Sequence, residues 1–170
     1  MPSSRPIPDH HAARRSIVLA VAALASAFAL SACDRQPDGT GVTLRIDDPQ
    51  VLAQGRTIYQ AQCAACHGAR LEGQPNWRER DAGGRLPAPP HDASGHTWHH
   101  PDQVLFDLVK YGVAKAAQLP GYDSAMPAYE GKLTDAEIVA VLAWIRSQWP
   151  ADVRKLQQQA DEAARRQHQG

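Results

Sequence analysis

One short stretch constrains this chain more than the rest of it: Cys63-Ala64-Ala65-Cys66-His67. Two thiols three positions apart fall on one side of a helical turn, with an imidazole projecting directly behind them. Three such donors in five residues point to a bound metal or cofactor. The chain has three cysteines, and the third, Cys33, ends an apolar run near the N-terminus. None is left for a disulfide framework, and in an oxidising compartment a bare Cys-x-x-Cys would pair or be modified. Something is therefore expected to occupy Cys63 and Cys66.

The spacing is that of covalent haem attachment, which predicts one haem c. Both sulfurs of one helical turn can form thioether bonds to the vinyl groups of a single porphyrin, and His67 then ligates the iron from below. A thioredoxin-like redox pair would want a strand before the cysteines and a helix after them, whereas here a helical pattern precedes them. A zinc site needs four ligands, and no second cysteine pair exists. The other side of the iron calls for a donor on a rigid loop. Apart from Met1, the chain has one methionine, Met126, in Ser124-Ala-Met-Pro-Ala-Tyr129. Pro127 holds the residue before it extended and bars a helix there, which suits a sixth ligand better than the ordinary core role of methionine.

Residues 1–32 read as an export signal: Arg14 and Arg15 precede an uncharged run from Ser16 to Ala32. That run is short for a stable membrane span. Its end, Leu30-Ser-Ala-Cys33, resembles a bacterial lipobox, which implies lipidation of Cys33. Ordinary cleavage or an uncleaved anchor are the alternatives. Asp34 behind it resembles an inner-membrane retention signal. Residues 33–46 are polar and are expected to form a flexible tether. The net charge of zero argues against a nucleic-acid partner.

Residues 47–149 carry the foldable pattern. Asp47 or Asp48 offers an N-cap with Pro49 at the first helical position. Val51, Leu52, Gly55, Ile58, Tyr59 and Gln62 then recur at helical spacing up to the cysteine motif. From Arg70 to His100 glycine and proline punctuate a long loop, a length that is expected to be functional or wrapped around something. A second helix begins near Pro101 with Val104, Leu105, Leu108 and Val109 on one face and Gly112 as terminator. After a loop from Val113 to Lys132, Thr134 and Glu137 announce a capping box. Ile138, Val141, Leu142, Trp144 and Ile145 form the buried stripe that follows. Residues 150–170 are polar on nearly every side and read as a frayed helical or disordered tail. Thirteen prolines and 6% aromatic residues fit a small core with long loops, to which an internal cofactor would add apolar surface.

Together "GRTIY" (Gly55 and Tyr59), "CAACH", "MP" and "LAWI" resemble, in order and spacing, the class I c-type cytochromes (a monohaem cytochrome c domain), here on a lipoprotein anchor. The resemblance covers more than half of the chain. It implies an all-α class I cytochrome c fold of three to four helices and long loops around one covalently bound haem. First and last helices would cross, Gly55 and Tyr59 meeting Leu142, Trp144 and Ile145. A proline after the motif would accept a hydrogen bond from His67 through its carbonyl; position favours Pro89, with Pro90 and Pro87 as alternatives. Trp98 and Arg85 are candidates to bond the haem propionates. His91, His96, His99 and His100 admit three readings: propionate or capping contacts, a copper site, or an alternative axial ligand.

The implied function is single-electron shuttling between respiratory or periplasmic redox partners, without catalysis of its own. The protein would sit at the periplasmic side of the inner membrane through its N-terminal lipid, or else be soluble in the periplasm. The rival functions are a haem-containing copper-handling lipoprotein and a haem sensor or peroxidase with a labile sixth ligand.

Overall fold

A computed structural model of the chain describes residues 41–168. The expected export signal, Cys33 and the tether up to Thr40 lie outside the described residues. Among the described residues the architecture is helical, without a strand, as expected of a cytochrome-like all-α chain. None of these helices is long and apolar enough to cross a membrane.

Helix α1 spans Pro49–Ile58 and starts where Asp48 accepts from the backbone N–H groups of Gln50 and Val51. It runs through a π-turn, Tyr59–Cys63, into the one-turn helix α2, Ala64–His67. After the long loop and a 3-10 turn at Thr97–His99 come α3, Asp102–Tyr111, and the short α4, Val113–Ala116. Helix α5, Asp135–Ser147, opens on the capping box, with Thr134 and Glu137 satisfying each other's backbone N–H. Helix α6, Ala151–His168, follows directly.

Helix α1 packs across α5, and Ile58, Tyr59, Leu105, Phe106, Ile138, Val141, Leu142, Ile145 and Trp149 form the core. Each such side chain contributes about 1.5–3 kcal/mol by leaving water. The buried face of α3 is rotated from the expected one: Leu105 and Phe106 are buried, while Val104 is 40% exposed. The shift arises because α3 must also turn Asp102, 1% exposed, inward.

Asp102 explains two further departures. Its carboxylate accepts from Leu44 N at 3.0 Å and from Gln157 Nε2 at 2.7 Å, with Arg146 at 3.5 Å, and its own N–H donates to Asp161 Oδ1 at 3.0 Å. Arg165 ties Asp161 (2.8 Å) to Val42 O (2.9 Å). Residues 42–44, expected in a flexible tether, are thus fastened to the domain, and Leu44 is 4% exposed. The polar C-terminal stretch is not a frayed tail but a docked helix. A hydrophobic pattern could not reveal it, because beyond Val153 its inward face carries Gln157, Asp161 and Arg165. Burial, the largest influence, raises the Asp102 carboxyl above its ordinary range, against the bonds from Leu44 and Gln157. Removing one donor leaves a buried acceptor unpaired, so Gln157→Ala is expected to cost about 1–2 kcal/mol. The exposed Gln158→Ala should stay within about 0.5 kcal/mol. Urea unfolding of both variants measures the difference, and equal midpoints would mean that the helix does not dock.

Candidate functional site

The cysteine motif sits where α1 gives way to a wider turn. In the π-turn the N–H of Ala64 reaches back to Tyr59 O, one residue further than in an α-helix. The extra residue lets Tyr59 face the core fully buried while the motif turns away from the axis of α1. Two tyrosines then hold the motif's backbone: Tyr59 Oη donates to Gly68 O at 2.9 Å, and Tyr129 Oη to Gln62 O at 2.8 Å. Periodicity had no means of locating the π-turn, and Tyr129 was not singled out as a motif contact.

Cys63 is half-buried and Cys66 exposed, and the two thiols are not joined. Burial, with Cys66 adding, pushes the Cys63 thiol up to about 11.

His67 is 7% exposed, and its Nδ1 lies 2.8 Å from Pro89 O. A carbonyl can only accept, so Nδ1 carries the proton and Nε2 keeps its lone pair free for a metal. Burial lowers the His67 pKa and so favours the neutral, ligating form, while the Pro89 bond partly opposes it. The choice among three adjacent prolines is made by the long loop. His91 N donates to Leu71 O at 2.8 Å, and Gln74 N to Ala88 O at 2.9 Å. Gly73, at φ +70°, presses against the Pro89–Pro90 peptide, where a Cβ would come within 2.5 Å of Pro90 N. The loop is thereby folded back on the motif with Pro89 O over His67.

The other histidines do not share one place. His91 stacks face to face on His67, with ring centroids 3.8 Å apart and planes 17° from parallel. Burial, with His67 and His96 adding, holds it well below the usual imidazole range. His96 stacks on Trp77 and stands edge-on to His100, and His99 lies on Trp98. Among the described residues no three His, Cys, Asp or Glu side chains gather into a group that could hold a metal ion.

Met126 is half-buried, its N–H donating to Ser124 Oγ at 3.2 Å. It lines an open cleft of about 310 Å³ with Tyr111, Gly112, Val113, Tyr122 and Ala128. His67 and the cysteines are not among the walls of that cleft. The Met126 loop is fastened on both flanks: Arg85 Nε bonds Asp123 Oδ2 at 2.7 Å, and Glu130 N bonds Lys110 O at 2.9 Å. Arg85, expected to pair with a propionate, is thus engaged by Asp123, and both side chains are half-exposed. Trp98, the other residue expected to meet a propionate, has its Nε1 buried without a partner, and an unpaired buried donor is costly.

These features fit a covalently held haem: two free thiols on one turn, an imidazole with only Nε2 available, and an orphaned indole N–H. Comparison with known proteins agrees. The family model described as "Cytochrome c" matches residues 52–149, more than half of the chain. No curated protein and no solved structure matches it.

Proposed function

Because the chain belongs to the cytochrome c family, whose members bind covalent haem c and transfer electrons, we propose that it is a class I, single-haem electron carrier of the periplasm. The N-terminal lipid on Cys33 holds it to the inner membrane, and periplasmic or membrane redox proteins are its partners. The observation that carries the reading is the His67 Nδ1 to Pro89 O bond within the Cys63-x-x-Cys66-His67 turn, which leaves one nitrogen directed to metal ligation.

Haem bound here supplies a one-electron ferric–ferrous couple. The chain's own residues do the rest. Cys63 and Cys66, free in the structure, would retain the group through covalent bonds, so that no deep pocket is needed. His67 would be the nitrogen ligand, and the Pro89 carbonyl holds its Nδ1 at one point and raises its basicity. Met126 would supply a sulfur to the iron, from a loop held on both flanks by Arg85–Asp123 and Glu130–Lys110. Trp98 offers its N–H to a propionate. A partner meets a rigid domain whose ligands need not rearrange between oxidation states.

The test is production of the full chain in a host with cytochrome c maturation, followed by extraction with acidified acetone. Haem is expected to stay with the polypeptide and to show a thioether-type pyridine haemochrome spectrum. Replacing Cys63 and Cys66 by Ser should let all of it be extracted. Colourless wild-type protein, or pigment lost from it to the solvent, would overturn the reading. Labelling with a lipid precursor tests the anchor, since Cys33→Ser should abolish incorporation.

A further inference from the structure

The ring of His91 lies flat against His67 with one of its nitrogens unbonded. Its Nδ1 is buried without a partner, and such a group in a folded interior calls for a reason. The reason is not local packing alone, because the backbone by itself pins the residue in place. His91 N donates to Leu71 O at 2.8 Å, and Trp149 Nε1 donates to His91 O at 2.7 Å. Tyr59, fully buried, meets the ring edge-on with centroids 6.0 Å apart. The element most tightly engaged by the His91 face is His67, at 3.8 Å and 17°.

We infer that His91 is a positioning residue for the axial imidazole, its flat face setting the plane of the His67 ring. The inference rests on His67 being the nitrogen ligand of a bound haem. The Pro89 carbonyl restrains His67 within its own plane, by drawing Nδ1 toward one point. It leaves rotation about the Cβ–Cγ bond weakly opposed, since a hydrogen bond tolerates a wide angular spread. A parallel ring at van der Waals distance opposes that rotation directly, because turning His67 drives its edge into His91. The two restraints act along perpendicular directions, and together they leave one orientation. His91 is itself held by Tyr59, in the π-turn after α1, and by Trp149 after α5, so the restraint is anchored beside the helix crossing. The same contact places His91 on the face of His67, where it does not serve as a replacement ligand on the opposite side of the iron.

The test compares His91→Ala, which removes the face, with His91→Phe, which keeps a flat ring without the nitrogens. Each is prepared as the haem-loaded full chain, and haem content is measured first by pyridine haemochrome. Loss of haem from the wild type would count against the haem reading and not against the role of His91. The readout is the low-spin electron paramagnetic resonance spectrum of the ferric protein, which responds to the orientation of the axial ring plane. His91→Ala is expected to lose the single sharp set of g values and to give a broadened or multiple signal, while His91→Phe keeps one sharp set. If His91→Ala does not load haem, His91→Leu, which fills the space without a flat face, takes its place with the same expectation. A sharp wild-type spectrum in His91→Ala, even with a lower melting temperature, would overturn the inference, since a merely structural role predicts that result. A spectrum as broad in His91→Phe as in His91→Ala would also overturn it, because the face would then not be what matters.

Discussion

Met126→Ala is expected to lower the reduction potential by on the order of a few tenths of a volt, a sizeable part of the ~0.8 V that axial ligands span. It should also abolish the long-wavelength absorption band that marks sulfur bound to ferric iron. Thioether sulfur favours the ferrous state, and an alanine leaves that position to water or to a stronger donor, both of which favour the ferric state. The loss should be one of ligation and not of folding. Tyr129 N bonds Val109 O at 3.1 Å and Tyr129 Oη bonds Gln62 O at 2.8 Å, so the loop keeps its anchors without the methionine side chain. Met126 is only half-buried, and its truncation should cost about 1 kcal/mol of stability. Redox titration and the oxidised absorption spectrum of the variant measure both effects. Survival of the band, or an unchanged potential, would show that some other side chain faces His67 across the iron.

Gly55→Ala should destabilise the folded protein by about 3 kcal/mol or more, beyond the usual cost of overpacking. A Cβ at residue 55 would lie 2.0 Å from Ala140 O, 2.6 Å from Ala140 C and 2.8 Å from Trp144 Cβ. Two of these three atoms are backbone, so no change of rotamer relieves the clash, and α1 must move off α5. Alanine is the better helix former, by about 1 kcal/mol, so local propensity predicts the opposite sign and the experiment separates the two effects. The melting temperature should fall by on the order of 10 °C. Arg56→Ala, one position away on the exposed side, should change stability by less than about 0.5 kcal/mol. A Gly55→Ala variant that melts like the wild type would mean that the two helices do not approach so closely.

Much of this was legible before any coordinates. Asp48, Pro49 and the Thr134–Glu137 box announce helix starts because capping chemistry is local: a side-chain oxygen meets an N–H two or three residues on. The crossing of α1 and α5 was implied by a resemblance, and the close approach at Gly55 gives it a physical basis. The face of α3 was misjudged because apolar spacing cannot anticipate an aspartate that turns inward to meet Leu44, Arg146 and Gln157. The docking of helix α6, expected only as a frayed helix or disorder, escapes the pattern for the same reason, being carried largely by amide and ionic groups that a hydrophobic pattern counts as surface.

The candidate site divides along the same line. Cys63, Cys66 and His67 were determined by sequence alone, since their relation is one turn of backbone and needs no tertiary partner to bring them together. Which proline carbonyl meets His67 was decided only by the fold, because three nearly equivalent carbonyls are separated only by how Gly73 and Leu71 fold the loop back. The placing of His91 against His67 was likewise a tertiary decision: contacts between residues far apart in the chain depend on loop closure and packing, which no local pattern encodes.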